Sequence, residues 1–173
     1  MAISSSQIHL IYSGSAASNT NANDSFGGQI STAAGGVITS DQLNNDMDDI
    51  TSAEAAQGVT IYHAYYYKNT NSSLTYIAPK VYIQSNTATN ETESYIGIPP
   101  ELKNVSVQRL TTELTPAPTN VTFSAPGNYA AGLALLDLPS TNYRGIWVKY
   151  VVDASASAVL DAYTLGIQGD SNP

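Results

Sequence analysis

The 173-residue sequence has no cysteine, one tryptophan, two phenylalanines and only 12% charged residues. Each scarcity removes a class of answer. Without thiols there are no disulfides, no thiolate zinc site and no cysteine nucleophile, and a cysteine-free chain fits maturation in a reducing cytoplasm. Cations are scarce too: six Lys and Arg stand against fourteen Asp and Glu, a formal charge of −8. That balance argues against an electrostatic grip on nucleic acid or anionic lipid. Uninterrupted apolar runs are a few residues long, far short of the ~18–20 that a membrane-spanning helix needs. The opening MAISSSQIHLIY has neither the basic region nor the apolar stretch of a signal peptide. A soluble protein is expected.

Leu, Ile, Val and Phe make up about a fifth of the chain, close to the level at which disorder sets in. Twelve tyrosines compensate. Placed inside alternating segments, they supply large buried area with a polar tip. Low charge, abundant Thr, Ser, Asn, Ala and Tyr, and few helix formers point to β-structure with long polar connections. The length suits one domain.

Along the chain, Ile8–Tyr12 has strand composition and is followed by GSAASNTNANDSFGG, which has no periodicity. Residues 14 to 28 read as a loop or extended arm, mobile or ordered only against a neighbour. Gln29 to Thr39 has room for two short strands around Gly35 and Gly36. Residues 1–39 are therefore read as an N-terminal strand and an extended arm or loops, and 40–173 as the β-sandwich domain. Between them, Thr51 and Glu54 form a capping box that predicts one helical turn over 51 to 57.

From Gly58 the strand signals strengthen. GVTIYHAYYYKN and LTYIAPKVYIQSN flank the turn set NTNSS, which reads as a hairpin or adjacent strand pair. Tyr62, Ala64 and Tyr66 share one face of the first run, and Ile61, His63, Tyr65 and Tyr67 the other, so both faces are covered. Pro79 belongs at an edge or bulge, with Val81 and Ile83 resuming the inward face. TESYIGI, NVSVQRL and NVTFSAP follow as short strands, and RGIWVKYVVD with LDAYTLGIQGD closes the chain as antiparallel neighbours. Seven to nine strands with Gly, Pro and Asn punctuation predict a single all-β sandwich, immunoglobulin-like or jelly-roll-like.

The chemistry-bearing residues are sparse. His9 and His63 sit in separate strands with no adjacent carboxylate pattern, so a surface strand histidine is the expected role rather than a triad. Asn44, Asp46, Asp48 and Asp49 imitate a calcium loop, but the sixth position is Asp49 rather than Gly and the twelfth is Ala55. A solvated acidic turn is the better reading, with no metal or other cofactor. Glu91, Glu93, Glu113 and Asp137 read as strand-end and loop acids serving solubility and edge protection, not a glycosidase pair. Five N-x-S/T sequons begin at Asn23, Asn71, Asn90, Asn104 and Asn120, against roughly three that this composition produces by chance, so they are weak evidence for glycosylation. The chain is not expected to be an enzyme. Tyr65, Tyr67, Tyr76 and Tyr82 remain, as core and subunit interface or as a sugar-stacking platform, with core and interface preferred. Phe26, an isolated apolar anchor in the arm, joins them as an interface residue.

The segments AAQGVTIYHAYYYKNTNSSLT, VYIQSNT, APTNVTFSAP, AAGLALLDLPSTNYRGIWVKYVVDASASA and YTLGIQGD together resemble small β-sandwich virion proteins of tailed bacteriophages. In that group a YxKNT…LT strand pair, a VTFS.P strand and a final IWVK/R to L.I.GD pair recur in this order. The similarity spans roughly residues 50 to 170, and SGSAASNTNANDSFGGQIS is also similar. It implies a virion location with assembly in the host cytoplasm. The implied role is a capsid decoration or cement protein bridging major capsid protein subunits, otherwise a neck, tail or baseplate component. It implies self-association, as in trimeric cements, and no catalytic residue. The run Tyr65, Tyr66, Tyr67 is more aromatic than that pattern. A glycan-binding adhesion module is the alternative from a different class.

Overall fold

The computed structural model describes residues 2–40, 42, 45–47, 49–86, 91–114, 116–157 and 162–172. The chain is a single β-sandwich of two antiparallel sheets packed face to face. Nine strands are described: β1 Ile8–Gly14, β2 Gln29–Ile30, β3 Val59–Asn69, β4 Thr75–Asn86, β5 Thr92–Gly97, β6 Phe123–Ser124, β7 Leu133–Ala134, β8 Tyr143–Val152 and β9 Tyr163–Asn172. One sheet has the order β2-β1-β3-β8-β5-β6, the other β7-β4-β9. Among the described residues the one α-helix, α1, spans Ser52–Gln57 and starts at the expected box: the Thr51 side chain accepts from Glu54 N, and the Glu54 carboxylate accepts from Thr51 N at 2.8 Å. No helix among the described residues is long and apolar enough to cross a membrane.

β3 is central, paired with β1 on one side and β8 on the other, and both of its faces are buried. Tyr65 and Tyr67 point between the sheets, where they meet Tyr12, Tyr76, Val81, Ile83, Ile96, Ile146 and Val148. Ala64 and Tyr66 point outward and are covered, with Trp147, by Val107 and Leu110. Burying one such ring removes about 150–250 Å² from water, worth roughly 4–6 kcal/mol before entropy is counted. A few rings therefore make up for the missing aliphatics.

Several expectations are corrected. β3 and β4 are not a hairpin: they lie in different sheets. The turn between them is a corner held by two asparagines. Asn69 Nδ2 donates to Leu74 O at 2.8 Å and Leu138 O at 2.9 Å, while Asn71 Oδ1 accepts from Ser73 N and Leu74 N. β8 and β9 are likewise in different sheets, each paired with a strand distant in sequence. NVSVQRL is not a strand. Its only bridge is Val107 with Gly28, and it lies as an irregular cover on the outer face. Of the two short strands expected in Gln29 to Thr39, β2 forms, and the rest contributes a single bridge from Val37 to Ile11. Pro79 sits in a β4 bulge, where the register slips between Ile77 and Lys80 and Ala78 takes a left-handed φ of 46°. Val81 and Ile83 then resume the core.

Residues 1–39 do not form a free arm. β1 is an interior strand of the larger sheet, and residues 14 to 28 fold back over that sheet's outer face. The reason is polar rather than apolar. The buried Asn19 amide donates to Ser13 O, to Asn21 O at 2.9 Å and to Ser25 Oγ at 3.1 Å. Ser31 Oγ donates to Asn19 O, and Ser13 Oγ accepts from Gly27 N. Small polar side chains thus meet the backbone's hydrogen-bonding demand, which lets an aperiodic stretch be buried. Gly27 and Gly28 have φ of 91° and 96°, and a Cβ on either would run into the backbone of Gln108 or Gly14. Only glycine threads this gap.

Candidate functional site

The residues singled out in the sequence do not converge. Tyr65, Tyr67 and Tyr76 are 0%, 3% and 8% exposed, within the inter-sheet core. Burial removes them from any surface, interface or sugar platform alike. Their surroundings hold them protonated: burial, then neighbouring Tyr76 and Tyr82, raise Tyr67 strongly, and burial pushes Tyr76 up to about 12. Tyr82 is half-buried on the opposite face of β4, its ring lying over Gly166 of β9. Phe26 is half-buried on the far side of the molecule, with the Arg109 guanidinium 4.8 Å above its ring and His63 edge-on at 6.2 Å.

His63 is not a surface histidine. It is fully buried, and its Nε2 lies 3.1 Å from the Glu113 carboxylate, fifty residues away in sequence. Tyr62 N donates to Glu113 O at 2.7 Å and Ala64 N to Ser25 O at 2.6 Å. Residues 25 and 113 thus satisfy β3 beyond the point where β1 stops pairing. The imidazole–carboxylate contact pins the same connection. Beside it lies a recess of about 330 Å³ lined by Asn23, Phe26, Thr111, Thr112, Glu113 and Leu114. A second shallow recess, about 450 Å³, runs between the β4 bulge and β7, with Lys80, Lys103, Leu136 and Asp137 on its walls. His9 is distant from both, its Nε2 2.9 Å from Ser6 O.

Asn44 and Asp48 of the acidic turn, and the Asn90 sequon, lie outside the described residues. Asp46 meets the core through its carbonyl, which accepts from Tyr65 Oη. Among the described residues no three His, Asp or Glu side chains gather as a metal site. Asn71 is 9% exposed and committed to its turn, while Asn23, Asn104 and Asn120 are exposed.

The surface that sequence reasoning missed is a row across the outer face of the larger sheet. Tyr62 of β3 is in register with Lys149 of β8, and Lys149 with Tyr95 of β5. Period-two alternation puts all three on one side, and each is only half-buried. Lys149 Nζ lies 3.9 Å from the Tyr95 ring centroid and 5.6 Å from that of Phe123, which itself packs on Tyr62 at 5.7 Å. Tyr95 Oη donates to Glu93, a hydrogen bond that raises the phenol above its ordinary value. The patch therefore combines aromatic faces, one cation and one carboxylate across three neighbouring strands, a composition suited to contact. Its sequence signal was the outward parity of Tyr62 and Tyr95, but the pairing across three strands was not visible there.

No protein-family model, no curated protein and no solved structure matches this chain.

Proposed function

We propose that the chain is a non-enzymatic structural protein of a tailed-bacteriophage virion, acting first as a capsid decoration or cement protein that bridges major capsid protein subunits. A place in the neck, tail or baseplate is the variant of the same reading. The observation that carries it is the order of the resembling motifs along the fold. YYYKNTNSSLT runs from β3 through the asparagine corner into β4, VTFSAP contains β6, IWVKY lies in β8 and LGIQGD in β9. The shared pattern thus coincides with the strands and corner that build the sandwich. The described surface offers shallow recesses and a flat aromatic–cation row, and a protein that works by broad contact needs no more.

The test is composition of purified particles. One or a few copies per shell subunit support decoration, and a handful per particle supports neck or tail. Absence from particles overturns the proposal. The exposed row of Tyr62, Lys149 and Tyr95 favours a second reading, a glycan-binding module. Retention of oligosaccharides on an array, lost in Tyr62→Ser and Tyr95→Ser, would select it, and an array without binding would remove it.

A further inference from the structure

The two sheets have four edges, and they are not alike. β2, β6 and β7 are two-residue strands, so at three edges the outermost strand is very short. Very short edge strands are one of the devices by which β-proteins avoid joining edge to edge. The fourth edge is β9, ten residues long and paired with β4 on one side only. Among the described residues, no backbone-to-backbone hydrogen bond other than its ladder to β4 reaches Tyr163–Asn172. The usual protections are missing as well. β9 has no Lys and no Pro, its one charge is Asp170, and the two register slips in the β4–β9 ladder each place the extra residue in β4. In a chain of net charge −8 this edge is nearly neutral.

We propose that β9 is a self-association edge, pairing antiparallel with β9 of a second copy about a two-fold axis to join two three-stranded sheets into one. Such an axis stands normal to the sheet, so residues facing one another share a face, and odd positions meet odd. Tyr163, Leu165 and Ile167 face the core, while Thr164 and Gln168 are exposed on the other side. A register centred on Gly166 sets Leu165 against the partner's Ile167 and Thr164 against the partner's Gln168. It leaves Asp170 of each copy beyond the paired stretch. No like charges then face each other, and the alternation is self-complementary. The occupant is a copy of this chain because a two-fold pairing of identical neutral edges closes on itself and leaves no further edge to propagate. The inference deepens the self-association part of the proposed function and rests on no virion location.

The experiment is sedimentation velocity on the purified full chain over a wide concentration range, with two charge variants. Wild type is expected to form a species of twice the 18.2 kDa chain mass. Thr164→Lys with Gln168→Lys puts two pairs of like charges opposite one another across the seam and should weaken the dimer about tenfold or more. Thr164→Glu with Gln168→Glu should do the same. Mixing the Lys and Glu variants should restore dimer, an outcome that misfolding cannot produce, and circular dichroism of each variant alone checks its fold. A wild type that stays monomeric, a trimer, a dimer insensitive to both variants, or a mixture that fails to reassociate each overturns the proposal. None of these results bears on whether the protein is found in particles, so the two readings fail separately.

Discussion

The two faces of the six-stranded sheet are closed by different means. The inner face is covered by a second sheet, and its contacts are mostly side chain to side chain: Tyr12, Tyr65, Tyr67, Ile96, Ile146 and Val148 against Tyr76, Val81, Ile83, Leu135 and Leu138. The outer face is covered by connections, roughly residues 14–31 and 99–114 together with Val121, which bring few apolar groups and many hydrogen bonds. Tyr66 Oη shows the difference. It donates to Gly28 O and accepts from Val107 N at 2.9 Å, tying both connections to the sheet at one atom. Arg144, in register with Tyr67 on the other face, holds the start of the second connection, its Nη2 donating to Pro99 O at 2.8 Å from a buried position. An irregular segment can thus act as a layer, provided side chains supply the partners that a ladder would otherwise provide.

The broadest test of this contrast is alkaline titration. Burial raises Tyr12, Tyr67, Tyr76 and Tyr163 on the inner side and Tyr66 on the outer, each above the ordinary phenol value. A raised folded-state pKa contributes stability that is complete below the unfolded value, about 10, and is lost as pH climbs toward the folded value. The ionisation of these five phenols and the loss of circular dichroism should therefore come together in one cooperative step above about pH 10. Two separate steps would mean that the outer layer detaches by itself.

Trp147→Ala comes next. The ring is fully buried on the outer side, and its loss should cost about 3–5 kcal/mol in urea unfolding. That would match or exceed Ile146→Ala on the inner side, at about 2–5 kcal/mol. A loss near 1 kcal/mol would show that the outer layer is loosely packed. Tyr66→Phe keeps the ring and strands Val107 N, for about 1–3 kcal/mol. Hydrogen exchange should then speed up in residues 99–110 while β4 and β9 remain protected.

Asp24→Asn should have the smallest effect. Burial alone would raise this carboxyl, but Arg109 and the Ser15 backbone and hydroxyl hold it below its ordinary value. Both partners of the ion pair are about one-third exposed, so the loss at neutral pH should be about 0.2–1 kcal/mol. A lowered folded-state pKa contributes stability that is present above the unfolded value and lost as pH falls through the folded one. The stability gap between wild type and Asp24→Asn should accordingly close in acid.

Local signals were read correctly where a few neighbouring residues decide the outcome. The Thr51–Glu54 box starts α1, Pro79 sits in a bulge, and the runs at 59–69, 75–86 and 143–152 are strands. The partners of those strands are not legible locally, because adjacency in sequence is not adjacency in the sheet. Asn69 and Asn71 turn the chain from one sheet to the other instead of closing a hairpin. The sequence leaves loop and arm open for the Ser- and Asn-rich stretch after β1, because its burial rests on hydrogen bonds to Ser13, Asn21 and Ser25, which leave no periodicity. His63 and Glu113 carry no joint signal in the sequence, since fifty residues part them and only the edge of β3 brings them together.

What the sequence by itself determined is the class: an all-β sandwich, built on tyrosine for want of aliphatics and without thiols to staple it. Composition and period-two alternation suffice for that, because they specify which faces must be buried. Only the tertiary structure decided which tyrosines face water, that Tyr62, Lys149 and Tyr95 align, and that β9 is the longest of the described edge strands. Those are matters of register and sheet order, set by contacts between residues far apart in the chain, and no local pattern encodes them.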